Sequence, residues 1–197
     1  MRRSPRMGMR DAHTARASCV ASLIALVSLR ASAQGKYDVR SGFYGSAGIG
    51  FGYGTCSGGC GNSGQSGAAY YLALGGTLNQ MFRLGAEWQL WTKTQGGGTL
   101  DVNYVLASLS YYPSGASAFW IKANAGYTEF KVHLAGVPST TSSGGAAGGL
   151  GIGYDWQPVA GTFVFIPFAE YTWQLSSSSG QPRGNLFMIG LGFGYKH

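Results

Sequence analysis

The residues of this chain that could do chemistry are few and scattered. Cys56-Ser57-Gly58-Gly59-Cys60 brings two thiols close together in sequence. If the chain is exported, these sit in an oxidising space, and a local disulfide between Cys56 and Cys60 is the leading reading. Its closed loop is short, so its entropic gain is small. Two thiols without a neighbouring His do not complete a metal site, so neither a metal nor a cofactor is expected. A second set, Arg83, Glu87, Lys122, Asp155 and Glu170, could form a gate, a proton path or a catalytic pair. It could equally be a charge-compensated plug, because isolated charges in an interior need partners; the plug is the favoured reading. Nucleophilic catalysis needs a base within reach. Beyond residue 33 only His133 and His197 remain, with no His-x-Ser arrangement, so an enzyme is not expected. Gly48-Ile49-Gly50-Phe51-Gly52 and Gly149-Leu150-Gly151-Ile152-Gly153 look superficially like phosphate loops. They alternate with apolar residues and no helix follows, so that reading fails.

The elements that must position these residues follow from composition and period. The chain has 197 residues, with 14 Lys/Arg, 7 Asp/Glu and 34 Gly. So few charges argue against an ordinary soluble enzyme, a coiled coil or a charged disordered chain. The formal charge of +7 is concentrated at the start. Residues 1–33 carry Arg2, Arg3, Arg6, Arg10, Arg16 and Arg30 against Asp11. A basic start, an apolar stretch from Val20 to Leu29 and Ala31-Ser32-Ala33 before Gln34 read as a secretory signal peptide, removed from the mature protein. The other eight basic residues are dispersed, so no nucleic-acid face is expected. No later stretch is long and apolar enough for a spanning helix.

After residue 41 the dominant period is two, that of a strand. Strands are expected near 42–53, 67–78, 82–94, 99–112, 118–131, 145–156, 162–175 and 185–197. Asn79-Gln80-Met81, Ser114 to Ser117 and Pro158 to Gly161 are tight connections. Gly54 to Ser66, Leu134 to Gly144 and Ser176 to Gly184 are long and rich in Gly and Ser, and Gln95 to Gly98 falls on their side. Short turns at one end and long loops at the other is the pattern of outer-membrane barrels.

Splitting each strand by parity sharpens this. One face reads Ile49, Phe51, Tyr53, then Leu72, Leu74, then Leu84, Trp88, and ends Phe187, Ile189, Leu191, Phe193, Tyr195, with no charge on it. The other carries Ser46, Tyr71, Arg83, Glu87, Gln89, Ser108, Lys122, Asn124, Asp155, Glu170 and Thr172. Eight strands enclose too narrow an interior for the aromatic face, so that face is expected in lipid and a wet lumen behind it. Aromatics gather near both strand ends, as two interfacial belts would require. A spanning sheet must close on itself. Pro167 cannot donate to the ladder, and a local bulge is expected there.

Tyr111-Tyr112-Pro113 with Phe119 to Tyr127, Gly151 to Asp155 with Pro167 to Tyr171, and the closing Leu191 to His197 resemble hairpins of a known family. These are the small outer-membrane β-barrel proteins, the OmpA-, OmpX- and OmpW-like eight-stranded barrels of Gram-negative-type bacteria. The resemblance covers about 42–197, with 34–41 as a short periplasmic lead. It implies an all-β, eight-stranded antiparallel up-and-down transmembrane barrel in the cell outer membrane. It also implies delivery by the secretory channel and periplasmic chaperones, and folding by the barrel assembly machinery. Ile189, Leu191, Phe193, Tyr195 and His197 would be the assembly signal, with His197 where the family usually has Phe. Outer-membrane lipid and lipopolysaccharide are the expected surroundings, and a monomer the expected state. A structural or surface-interaction role is the favoured function, with a narrow channel as the alternative and a lipid-modifying enzyme less favoured.

Overall fold

The computed structural model describes residues 40–57, 64–95, 97–134, 137–157, 162–177 and 183–196. The expected signal peptide (1–33), most of the expected lead, Cys60 and His197 lie outside the described residues, as do parts of the long loops. Eight strands follow in chain order: β1 (Phe43–Ser57), β2 (Gln65–Asn79), β3 (Phe82–Gln95), β4 (Gly98–Tyr111), β5 (Phe119–Leu134), β6 (Val137–Tyr154), β7 (Phe163–Gln174) and β8 (Arg183–Lys196). Each pairs antiparallel with its chain neighbours, and β1 pairs with β8 from Tyr44↔Lys196 to Ser57↔Arg183. The sheet is thus a closed up-and-down barrel, with no edge along its closed wall.

Alternation in the sequence becomes alternation in burial. Along β7 the residues from Phe163 to Phe168 switch strictly between exposed and buried. The outward side is large and apolar: Phe43 is 80% exposed, Phe51 77% and Leu191 65%. A water-soluble monomer rarely exposes a contiguous apolar surface beyond a few hundred Å². Here it circles the barrel.

The tight turns have local causes. The Asn79 side-chain oxygen accepts the N–H groups of Met81 and Phe82 at 2.8 and 3.0 Å, an Asx-type turn that reverses the chain between β2 and β3. Gly97, between β3 and β4, has φ 81°, a left-handed value that side chains with a Cβ adopt at a cost.

Three expectations are corrected. First, Leu134 to Gly144 is not a loop throughout: β6 begins at Val137 and pairs with β5 through two register irregularities. This Thr/Ser/Gly run rises past the lipid-facing rows, so no apolar alternation marks it as a strand. Second, Pro167 makes no bulge. The β7–β8 register runs unbroken from Phe163↔Tyr195 to Trp173↔Asn185. The β6–β7 ladder instead stops at Gly153↔Phe168 and resumes, in the same register, at a single bridge between Trp156 and Phe165. Trp156 and Phe165 exchange both backbone hydrogen bonds, at 2.7 and 2.8 Å. By antiparallel alternation the next bonded pair would be Tyr154 with Pro167, where the missing N–H leaves a gap. The Tyr154 carbonyl accepts from the Trp156 N–H instead, at 3.1 Å. Third, the lumen is not polar throughout. Trp91, Val102, Tyr104, Leu106, Leu186 and Met188 are buried in it, in one cluster with Tyr71, Trp120, Ile166 and Phe168. An eight-stranded bore is just filled by side chains, and nothing requires every one of them to be polar.

Candidate functional site

All five charged residues singled out by parity are buried in the lumen, where they form two layered networks. Nearest the short turns, Asp155 follows the end of β6 and collects three donors. Its Oδ2 accepts from the Arg83 guanidinium and the Tyr112 hydroxyl, each at 3.1 Å, and its Oδ1 accepts from the Trp120 indole N–H at 3.0 Å. Arg83 also donates to the Tyr112 hydroxyl at 2.7 Å. Burial, with the neighbouring Asp155 charge adding to it, pushes the ionisation of Tyr112, just beyond β4, well above the usual phenol range. The hydroxyl therefore stays protonated and able to donate.

One layer deeper, Lys122 on β5 lies between two carboxylates, 2.5 Å from Glu87 Oε2 on β3 and 2.8 Å from Glu170 Oε2 on β7. The other oxygen of each carboxylate accepts from the Gln89 amide, at 2.8 Å in both cases. Asn124 donates to Glu170 as well, and Thr172 donates to the Gln89 carbonyl at 3.2 Å. Every carboxylate oxygen in this layer thus has a donor, the condition under which buried ion pairs are tolerable. Register explains how Lys122 and Glu170 meet: Gly151 on β6 pairs with both. A Cβ at Gly151 would stand 3.3 Å from Lys122 Cε and 3.4 Å from Glu170 Cγ.

Between the layers lies a cavity of about 40 Å³, its wall including Tyr44, Ser46, Ser108, Ser110, Arg83 and Lys122. That admits a few waters and no larger solute. Among the described residues no group of three or more His, Cys, Asp or Glu side chains is placed to hold a metal.

The remaining candidates are placed apart. His133 stands on the exterior of β5, its Nε2 3.2 Å from Asp101 Oδ2 on β4. Cys56 lies in β1 opposite Gly184, and its pairing with Cys60 falls outside the described residues. Ile189, Leu191, Phe193 and Tyr195 all face outward. Near the short turns, Phe163, Phe165, Phe193 and Tyr195 form a cluster of rings with centroids 5.1 to 5.7 Å apart. Tyr171 and Trp173 stack at 5.7 Å toward the other end. These are the two belts expected at lipid–water boundaries.

One residue escaped the sequence reading. Arg40, assigned only to the lead, is buried against the Tyr112 ring and the turns around Gln80 and Gly115. Its partners are mainly backbone carbonyls in two separate turns, which leave no mark in a sequence.

A closed antiparallel cylinder with an apolar exterior and a packed, charge-paired lumen is the architecture of a transmembrane β-barrel. Solved structures agree on the fold. The chain is similar to Neisserial surface protein A (NspA), at 14% identity and TM-score 0.62, over 80% of this chain and 98% of that one. It is also similar to Ail, the attachment invasion locus protein of Yersinia pestis, at 14% identity and TM-score 0.56, over 79% and 99%. The complex of Ail with the heparin analogue sucrose octasulfate gives 13% identity and TM-score 0.58 over 78% and 99%. No protein-family model matches the chain, and no curated protein matches it by sequence. The fold is therefore that of the small eight-stranded outer-membrane barrels.

Proposed function

We propose that this protein is a monomeric integral outer-membrane barrel with a structural or surface-interaction role. In this reading residues 1–33 are removed on export, and the short turns face the periplasm. The long loops meet lipopolysaccharide, host or environment. The secretory channel, periplasmic chaperones and the barrel assembly machinery deliver the chain, reading Ile189, Leu191, Phe193, Tyr195 and His197 at its end. A disulfide between Cys56 and Cys60 ties the first long loop.

The observation that carries the role is the contrast between the two parts of the cylinder. The lumen is filled by apolar side chains packed together with paired charges and other buried polar groups, which argues against solute passage. Outside, β5 and β6 continue as a hairpin beyond the wall: β6 pairs with β7 only over Ala147–Gly153, whereas its pairing with β5 reaches Val137. Material invested outside the membrane, with nothing open inside, suits surface contact. The similarity to a surface protein and an attachment protein supports the same reading.

The test has two arms. In planar bilayers the refolded protein should show no discrete conductance steps. Reproducible steps abolished by Glu87→Gln or Lys122→Met would establish the channel instead. Cells displaying the protein should lose adhesion to lipopolysaccharide- or sulfated-glycan-coated surfaces when residues 138–143 are deleted. Unchanged adhesion to every surface would defeat the surface role. Loss of an acyl-transfer or deacylation activity on His133→Ala would point to the enzymatic reading.

A further inference from the structure

The two charged layers of the lumen are not balanced alike. In the layer nearest the short turns Asp155 has Arg83 at 3.1 Å, and Arg40 lies against the Tyr112 ring with its guanidinium on the carbonyls of Gln80, Gly115 and Ser117. In the inner layer Lys122 is the one cation for two carboxylates. The other donors to them, the Gln89 and Asn124 amides, are neutral. The remaining titratable groups turned into the lumen are Tyr44 on β1, Tyr71 on β2, Tyr104 on β4 and Tyr112 just beyond it, and phenols carry no charge at neutral pH. β8 turns Leu186 and Met188 inward. Among the described residues the inner layer therefore holds one negative charge more than its cation can match.

Glu87 and Glu170 are both buried. An unmatched charge at such a position is costly, and a carboxyl escapes the cost by keeping its proton. Two observations single out Glu170. Lys122 stands nearer Glu87, at 2.5 Å, than Glu170, at 2.8 Å, which makes Glu87 its ion-pair partner. Asn124 Oδ1, also buried, has no hydrogen-bond partner among the described residues, while Nδ2 of the same amide donates to Glu170 Oε1. An amide carries a donor and an acceptor on opposite sides. Turned over, Asn124 offers Oδ1 to a protonated Oε1, which donates to it and still accepts from Gln89.

We propose that the lumen binds one proton: Glu170 is a neutral carboxylic acid in the folded barrel, Lys122 and Glu87 form the ion pair beside it, and Asn124 accepts its O–H. In the unfolded chain the same carboxyl is in water and ionised at neutral pH. Folding then takes up a proton, so stability falls as pH rises. Infrared spectra of the detergent-refolded protein at pH 7 should contain the carbonyl stretch of a protonated carboxylic acid. Glu170→Gln should abolish it, and so should Glu87→Gln, because Lys122 then has one carboxylate to itself. Lys122→Met should strengthen it. Asn124→Leu should shift it, since the acid loses its acceptor. Between pH 5 and 7 the folding equilibrium constant of the parent chain should fall about tenfold per pH unit relative to that of Glu170→Gln, the linkage of one proton. No acid band in the folded parent, or a band that survives Glu170→Gln, would overturn the proposal. So would parallel pH profiles, or stability that depends on sodium or potassium but not on choline, which would put a metal cation in place of the proton. An unshifted band in Asn124→Leu would overturn the role of Asn124. If Lys122→Met does not fold, the parent chain and Glu170→Gln, which keeps size and shape, decide alone.

Discussion

Lys122 shows how much rests on one side chain in this lumen. Among the described residues it is the single cation within 3 Å of both Glu87 and Glu170. Replacing it by Met leaves two carboxylates facing each other without it. Breaking one side of a buried charge cluster costs about 3–5 kcal/mol. Denaturant unfolding of the micelle-bound protein, followed by Trp fluorescence, should show a loss of that order. Adding Glu87→Gln and Glu170→Gln to Lys122→Met should restore most of it; if the triple variant is as unstable as the single, charge is not the cause. Glycines give a second comparison at this scale. A Cβ at Gly48 would meet the Tyr71 ring, with the Leu191 carbonyl at 2.8 Å and Gly192 Cα at 2.9 Å. A Cβ at Gly76 would meet nothing nearer than 3.9 Å. Gly48→Ala should therefore destabilise the barrel by about 1–3 kcal/mol, while Gly76→Ala should be neutral or slightly stabilising. Equal effects in the same assay would dissociate the inner glycines from packing.

Among the elements, β7 carries the one interruption with a named chemical cause. Pro167 faces outward and lacks the N–H that would reach the Tyr154 carbonyl. Pro167→Val supplies it on a surface that suits an apolar side chain. The gain expected from one added ladder bond is about 1 kcal/mol, and the amide at 167 should be protected from hydrogen exchange. An unprotected amide there would mean that the gap has a cause other than proline. The same strand explains why β6 was legible only in part. From Ala147 onward its residues face lumen and lipid alternately and the period shows. Before Gly144 the Thr/Ser/Gly run has no apolar alternation, and the strand reads as a loop.

For the molecule as a whole the governing fact is which solvent touches which side. Ile49 and Leu191 are register partners halfway along the strands, and both are exposed. An arginine at such a lipid-facing midpoint costs about 2–4 kcal/mol. Leu191→Arg should lower stability by that amount in lipid vesicles and weaken the heat-modifiable band. A variant as stable in vesicles as the parent chain would mean that Leu191 does not meet hydrocarbon.

The sequence by itself determined the eight strands, which face of each is apolar, the inward placement of Arg83, Glu87, Lys122, Asp155 and Glu170, and the ends at which the chain turns tightly. It could do so because period-two patterning is a local property, imposed residue by residue by two unlike surroundings. Only the tertiary structure decided that Arg83 pairs with Asp155 while Lys122 bridges two glutamates, and that an apolar cluster shares the lumen with them. It alone showed that Pro167 opens a gap instead of a bulge, and that Arg40 is held between the β2–β3 and β4–β5 turns. Those outcomes depend on register and on distances across the bore, which join residues far apart in the chain, 77 positions in the case of Arg40 and Ser117 and 83 in that of Gln89 and Thr172, and no local pattern encodes them.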